Sequence, residues 1–286
     1  MTTRSPNSIS HNRSAATFLL LVFALSTPLS LVGTTIGIEL LPGLPVSSLI
    51  VTFCPMIAAL ILVYRKNQTA GVTALLKRSF DYKRIKAKAW YAPVILMMPG
   101  VMAWSYGLMR WMGAPVPAPQ FPALAPLVMF LAFFFTSLGE ELGWMGYAID
   151  PMQERLGAFR ASILLGSAWA AWHIIPVVQA GRTPAWIAWQ CLFWVASRVL
   201  FVWLYNNTGK SVFAAAVYHA MLNVTWQLFP VNGSFYDPRI TGLIVAFVAV
   251  IVTFLWGPKT LAQYRFAQSR RLSPAPAHEH FVQRGR

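Results

Sequence analysis

Acidic residues are scarce in this 286-residue chain, eight Asp and Glu against 23 Lys and Arg, and charge of both signs makes up only 11% of the sequence. With 57% hydrophobic residues, so little charge gives a soluble globular domain no means of covering its apolar surface, and it excludes a disordered chain equally. Cysteine is nearly absent: Cys54 and Cys191 each lie within an apolar run, without metal-knuckle or redox spacing. That excludes a disulfide scaffold and leaves both as small core residues. A formal net charge of +15 would suit a nucleic-acid partner, but the cations crowd between and beyond the apolar runs. There they set membrane topology, and no nucleic-acid partner is expected.

What is present is a series of apolar stretches, each near the roughly 20 residues that cross a bilayer core as a helix. Eight spans are predicted, over 15–38, 44–64, 89–111, 122–147, 161–179, 184–205, 212–229 and 239–256. The fold class is therefore all-α, a polytopic integral membrane bundle of about eight transmembrane helices. Arg4 and Arg13 precede the first run in the manner of a signal peptide, but that run is too long for an h-region and is expected to remain as the first span. The chain divides into a cytoplasmic segment 1–14, a transmembrane domain 15–256 and a basic, partly disordered cytoplasmic tail 257–286 containing Arg270, Arg271, Pro274 and Pro276.

With both termini inside, Arg65, Lys66, the cations from Lys77 to Lys88, Arg155, Arg160 and Lys210 all fall in the cytoplasm. The opposite loops hold little: Glu39, an uncharged Pro-rich stretch from Gly113 to Pro122, Arg182 and the Asp237/Arg239 neighbourhood. Residues 65–88 mix Leu75, Leu76, Phe80 and Tyr82 with the cations. They suit an interfacial helix against anionic headgroups or a solvated basic loop equally. Gly33 and Gly37 form a G-x-x-x-G helix-packing pattern, and Thr208-Gly209-Lys210-Ser211 ends like a phosphate loop. The latter lacks both the glycine required where Leu204 stands and a preceding strand, so it is not one.

Ionisable side chains inside spans carry the most information, since each costs roughly 2.5–3.5 kcal/mol at a helix centre and usually marks function. Glu140 and Glu141 lie in the fourth span, His173 in the fifth, Arg198 in the sixth and His219 in the seventh, with Asn223 one turn beyond. At about 1.5 Å of rise per residue, Glu140, Arg198 and His219 sit roughly 10 Å from the cytoplasmic ends of their spans, and His173 and Asn223 roughly 16–18 Å in. Four helices thus present polar groups at compatible depth, predicting one site in the cytoplasmic half, open to the cytoplasmic leaflet. His219 and Asn223 share a helix face. The adjacent glutamates point about 100° apart, so one is expected in the cavity and the other against a neighbouring helix, with Arg198 as its partner.

The blocks Glu140-Glu141-Leu142-Gly143-Trp144-Met145-Gly146-Tyr147, Trp169-Ala170-Ala171-Trp172-His173 and His219-Ala220-Met221-Leu222-Asn223 resemble the CPBP family of intramembrane proteases. That family includes type II CAAX prenyl endopeptidases, bacteriocin-processing enzymes and Abi proteins. Its double glutamate, its aromatic four before a histidine and its histidine four before an asparagine occur in order over about 122–229. The turn Tyr205-Asn206-Asn207-Thr208-Gly209-Lys210-Ser211 is also similar. One position departs: the arginine expected five residues after the first glutamate is Met145, which removes the cation that would hold Glu141. Either Arg198 takes its place, in which case Arg198→Leu should abolish activity in a folded protein, or the site is degenerate.

The resemblance implies that Glu140, with His173, polarises a water that attacks a peptide carbonyl, and that His219 and Asn223 stabilise the oxyanion. Glu141 completes the catalytic set, with Arg198, Trp144 and Trp169 in support; Trp144 and Trp172 are candidates to line a substrate groove or simply to pack. The mechanism is expected to be metal-free, with a zinc site from Glu140, His173 and His219 as the alternative. The expected partners are a peptide or membrane-protein substrate, prenylated or a leader peptide, and the lipid bilayer of a bacterial cytoplasmic membrane. An inactive adaptor or bacteriocin self-immunity protein and an ion-coupled transporter are the rival readings.

Overall fold

Within a bilayer each backbone amide must find its partner inside the segment that carries it, so apolar runs of this length fold as helices. The computed structural model describes residues 14–36, 39–41 and 44–265. Its elements are α1 (Ala15–Ile36), a short antiparallel pair β1 (Glu39–Leu41) and β2 (Leu44–Pro45), α2 (Val46–Thr52), α3 (Cys54–Leu76), α4 (Tyr91–Trp111), α5 (Ala125–Gly143), α6 (Ile149–Leu156), α7 (Ala158–Gln179), α8 (Pro184–Asn207), α9 (Val212–Leu228) and α10 (Pro238–Trp256). This is the polytopic helical bundle expected. Seven helical stretches among the described residues are long and apolar enough to cross a membrane. The seventh expected span, α9, is not one of them, because it has only 17 residues and is largely buried among its neighbours.

The helix ends follow local chemistry. Thr183 Oγ1 accepts the Trp186 amide at the start of α8 and Asp237 accepts the Arg239 and Ile240 amides at the start of α10, each with proline at the first helical position. Gly157 and Gly257, at φ +77° and +73°, close α6 and α10 in a backbone region closed to most other residues. Helix α8 is the axis of the bundle, with 67% of its span buried against 22–39% for the others. It packs between α7 and α10, while α9 packs on α5 and α4.

Two chemically different ends result. At one, Arg78 donates to Gly146 O at 2.9 Å, Tyr205 Oη at 2.8 Å and Lys210 O at 2.7 Å, and Lys210 pairs with Asp150 at 2.9 Å. Arg65, Lys66, Lys77, Lys83, Arg84, Lys86, Lys88, Arg155 and Arg160 belong to the segments of this end. At the other, Gln179 bonds Ser30 O, Gln120 bonds Pro230 O and Tyr236 bonds Gln190. Among the described residues its cations are Arg110, Arg182 and Arg239.

The basic stretch after the second span is helical as far as Leu76. Within α3 two helical pieces meet at the non-helical Gln68 (φ 49°), and the second runs to Leu76 before short 3-10 turns, leaving Leu76, Phe80 and Tyr82 exposed beside the cations. Asp81 then accepts from Ser211 Oγ at 2.7 Å and the Phe213 amide at 3.1 Å, capping α9 from a distant part of the chain. The tail also begins docked: the Ala158 and Phe159 amides bond Lys259 O and Pro258 O, Asn206 and Asn207 bond Thr260 O and Leu261 O, and Leu261 is fully buried. Residues 1–13 and 266–286, and the Gly37 half of the G-x-x-x-G pattern, lie outside the described residues. The Thr208–Ser211 stretch is the α8–α9 turn, where Ser211 Oγ caps Ala214 at 3.1 Å.

Asp81→Ala should lower stability by about 0.5–2 kcal/mol, the usual cost of a lost helix cap. It is read as a lower melting temperature in detergent, while Lys86→Ala at an exposed neighbouring position leaves that temperature unchanged.

Candidate active site

The site begins where α5 presses against the α2–α3 junction. A methyl group on Gly143 would stand 2.5 Å from Pro55 O, and one on Gly139 would stand 2.6 Å from the Phe53 ring. Only glycine permits this approach, which brings Thr52 Oγ1 to 3.4 Å from Glu140 Oε1. Directly after the glutamates, Trp144–Ala148 form one π-helical turn, a widening that recurs at functional sites. The Arg78 guanidinium takes the Gly146 carbonyl of that turn.

The adjacent glutamates face different partners, as their angular separation requires. Glu140 Oε2 accepts from Trp169 Nε1 on α7 at 2.8 Å, and Glu140 forms part of a cavity wall. Glu141 is fully buried: Arg198 Nη1 on α8 donates to its two oxygens at 2.9 and 3.2 Å, and His219 Nδ1 on α9 lies 2.9 Å from Oε1. The Arg198 guanidinium carbon lies 4.1 Å from the centre of the Trp169 ring and 4.4 Å from that of Phe201, so aromatic faces add a cation–π attraction to its ion pair. Gly166 makes room for it, since a methyl group there would meet Arg198 Cβ and Val195 Cα at 3.0 Å. Arg198 thus occupies the role left open by Met145, which is itself fully buried in the core.

His173 Nδ1 lies 2.8 Å from Trp169 O, an atom that can only accept, so Nδ1 carries the proton and Nε2 is left as an acceptor. Its ring stacks on Trp194 at 4.6 Å. His173, His219, Asn223 and Trp169 line the same cavity of about 210 Å³ as Glu140. Trp172 lines it too, whereas Trp144 does not: it is fully buried, packed edge-on to Phe18 and Trp172. Trp144 is therefore a packing residue, fixed by the widened turn that carries it inward.

The cavity opens towards the cation-poor end of the bundle, away from the end where the basic segments gather. Its floor is Glu140, Trp169 and His219, all buried, and its rim includes exposed Ala180 and Arg182 at the far ends of α7 and its loop. The lining advances along α7, α8 and α9 only towards the cation-poor end. Below the floor, Glu141, Arg198, Tyr147 and Tyr205 close the bundle. Depth along a span located the site but not its mouth, which depends on which helix faces pack shut.

The carboxylates and imidazole gathered within 4.8 Å of one another, among the described residues, are those of Glu140, Glu141 and His219. His173, expected in a zinc set, is outside this group. The donor set fits a divalent ion poorly, because both Glu141 oxygens already accept from Arg198 and His219, and an ion there would have to displace a buried guanidinium. The sequence reading missed Thr52, which no local signal distinguished. It also missed Asp81, whose place among only eight acidic residues was a usable cue.

The buried pair changes the expectation for Arg198. Removing one partner leaves an uncompensated charge, so Arg198→Leu should lose about 3–5 kcal/mol of stability rather than remain folded. Glu141→Gln/Arg198→Leu should regain part of it in the same unfolding measurement, and Gly166→Leu, which pushes α8 away, should destabilise without changing any charge.

Comparison with known proteins agrees with this geometry. Residues 122–225, which carry every site residue expected from the sequence, match the family model described as type II CAAX prenyl endopeptidase Rce1-like. A curated relative, CAAX prenyl protease 2 of Methanococcus maripaludis, is 27% identical over 234 residues, covering 75% of this chain and 80% of the relative. Both glutamates, both histidines and the asparagine of the motif blocks are set in one helical bundle, and the region that carries them is similar to the Rce1-like family of membrane endopeptidases.

Proposed function

We propose that the protein hydrolyses a peptide bond of a membrane-associated substrate with a water activated by Glu140, without a metal. The observation that carries this reading is the separation of the two glutamates: Glu141 is held by Arg198 and His219, while Glu140 forms the floor of the cavity. A water bonded to Glu140 and to His173 Nε2 attacks the carbonyl carbon, and Glu140 takes its proton as the C–O bond forms. The resulting oxyanion lies against the Asn223 amide, which donates to it, and against His219. With its Nδ1 proton given to Glu141, the His219 ring donates from Nε2 only while it carries a second proton; Asn223 donates in either state. Collapse of the intermediate breaks the C–N bond, and Glu140 returns its proton to the leaving amine.

The name of the Methanococcus relative, CAAX prenyl protease 2, supports a prenylated peptide among the candidate substrates, beside a leader peptide or a membrane-protein segment. The aromatic and amide lining suits an extended apolar peptide in each case. The charge bias between the two ends supports placing both termini in the cytoplasm. The cation on Glu141, restored by Arg198, favours an active enzyme over an inactive adaptor.

With a fluorogenic peptide library and purified protein, Glu140→Gln should lower turnover by about 10²–10⁴-fold, the range of a lost general base. A chelator should leave turnover unchanged. Activity lost on chelation and restored by zinc would overturn the metal-free mechanism, and turnover independent of Glu140 would overturn the assignment of the base.

A further inference from the structure

We propose that the catalytic cavity opens on the extracytoplasmic side of the membrane, so that its substrate is a peptide segment presented from that face or from the outer leaflet. This deepens the peptidase reading and rests on it. Two independent observations combine. The first is geometric: the lining residues beyond the Glu140 and His219 floor lie along α7, α8 and α9 towards one end, where Ala180 and Arg182 are exposed and Gln179, Gln190 and Gln227 offer amides. The second is electrostatic: the cations crowd at the other end, around the Arg78 network that ties the turns after α3 to the π-helical turn, to Tyr205 of α8 and to the α8–α9 turn, whose Lys210 pairs with Asp150 of α6.

Positive residues near span ends are retained in the cytoplasm, and short loops such as these obey the rule most strictly. The basic end therefore faces inward, and the mouth faces outward. At the basic end, among the described residues, the fully buried Glu141–Arg198 pair lies beneath the floor and Tyr147 and Tyr205 are buried as well. A peptide anchored at the cytoplasmic surface meets this cationic end. An exported or translocated peptide meets an aromatic slot with amide groups that match the donors and acceptors of an extended backbone. Phe133 and Thr136 of α5 and Leu49 of α2 also line the slot, and Leu49 is exposed on the bundle surface. That side admits an apolar segment from the surrounding lipid.

The test labels the full chain in intact cells with a membrane-impermeant maleimide, in a Cys54→Ala/Cys191→Ala background. Ala180→Cys at the rim should label as fully before permeabilisation as after it, whereas Lys86→Cys at the basic end should label only after permeabilisation. Ala180→Cys reacting only after permeabilisation overturns the proposal. A second arm adds an impermeant peptide outside sealed vesicles of either orientation, with Glu140→Gln as the blank. Cleavage confined to vesicles exposing the cation-poor end supports the proposal, and cleavage confined to those exposing the basic end overturns it. Absence of cleavage even in detergent overturns the peptidase reading, while the labelling arm still decides the side.

Discussion

A carboxylate fully removed from water inside an apolar bundle must be matched by a cation held in place, and the contact between Glu141 and Arg198 meets that demand. Much of the site's construction serves it. Gly166 lets α8 approach α7 closely enough for the guanidinium to reach, and the Trp169 and Phe201 rings lie against its faces. His219 is oriented by the same carboxylate. Because Glu141 is committed to this contact, its neighbour Glu140 is left on the cavity floor, where Trp169 and Thr52 hold it. One buried ion pair therefore separates two chemically identical side chains, holding one as an anchor and leaving the other to face the cavity.

The departure at Met145 has its physical explanation here. A cation five residues after Glu140 would arise from the π-helical turn of the same chain segment; in this protein the charge comes instead from α8, across the helix interface. The turn is freed to bury Met145 and Trp144 in the core, while its Gly146 carbonyl is taken by Arg78. That bond links the site's own helix to the basic surface segment.

Much of this was legible in the sequence because a low-dielectric environment makes each polar group conspicuous. Glu140, Glu141, His173, Arg198, His219 and Asn223 stand out against apolar runs, and the helical rise places them at similar depth. The helices themselves followed from hydropathy alone. What sequence did not reveal were features that depend on which faces pack: the direction of the cavity, the burial of Trp144, the contact of Thr52 with Glu140 and the remote capping of α9 by Asp81. The second helical piece of α3, beyond the break at Gln68, was hidden for a related reason, since cations and polar residues there interrupt the apolar pattern.

The central claim is the division of labour between the two glutamates, and the most direct measurement compares the melting temperatures of Glu140→Gln and Glu141→Gln in the same detergent. The account predicts that Glu140→Gln melts with the wild type, because it loses no ion pair, and that Glu141→Gln melts well below it, because Arg198 is left buried and unpaired. Equal melting temperatures for the two variants, or the reverse order, would contradict it.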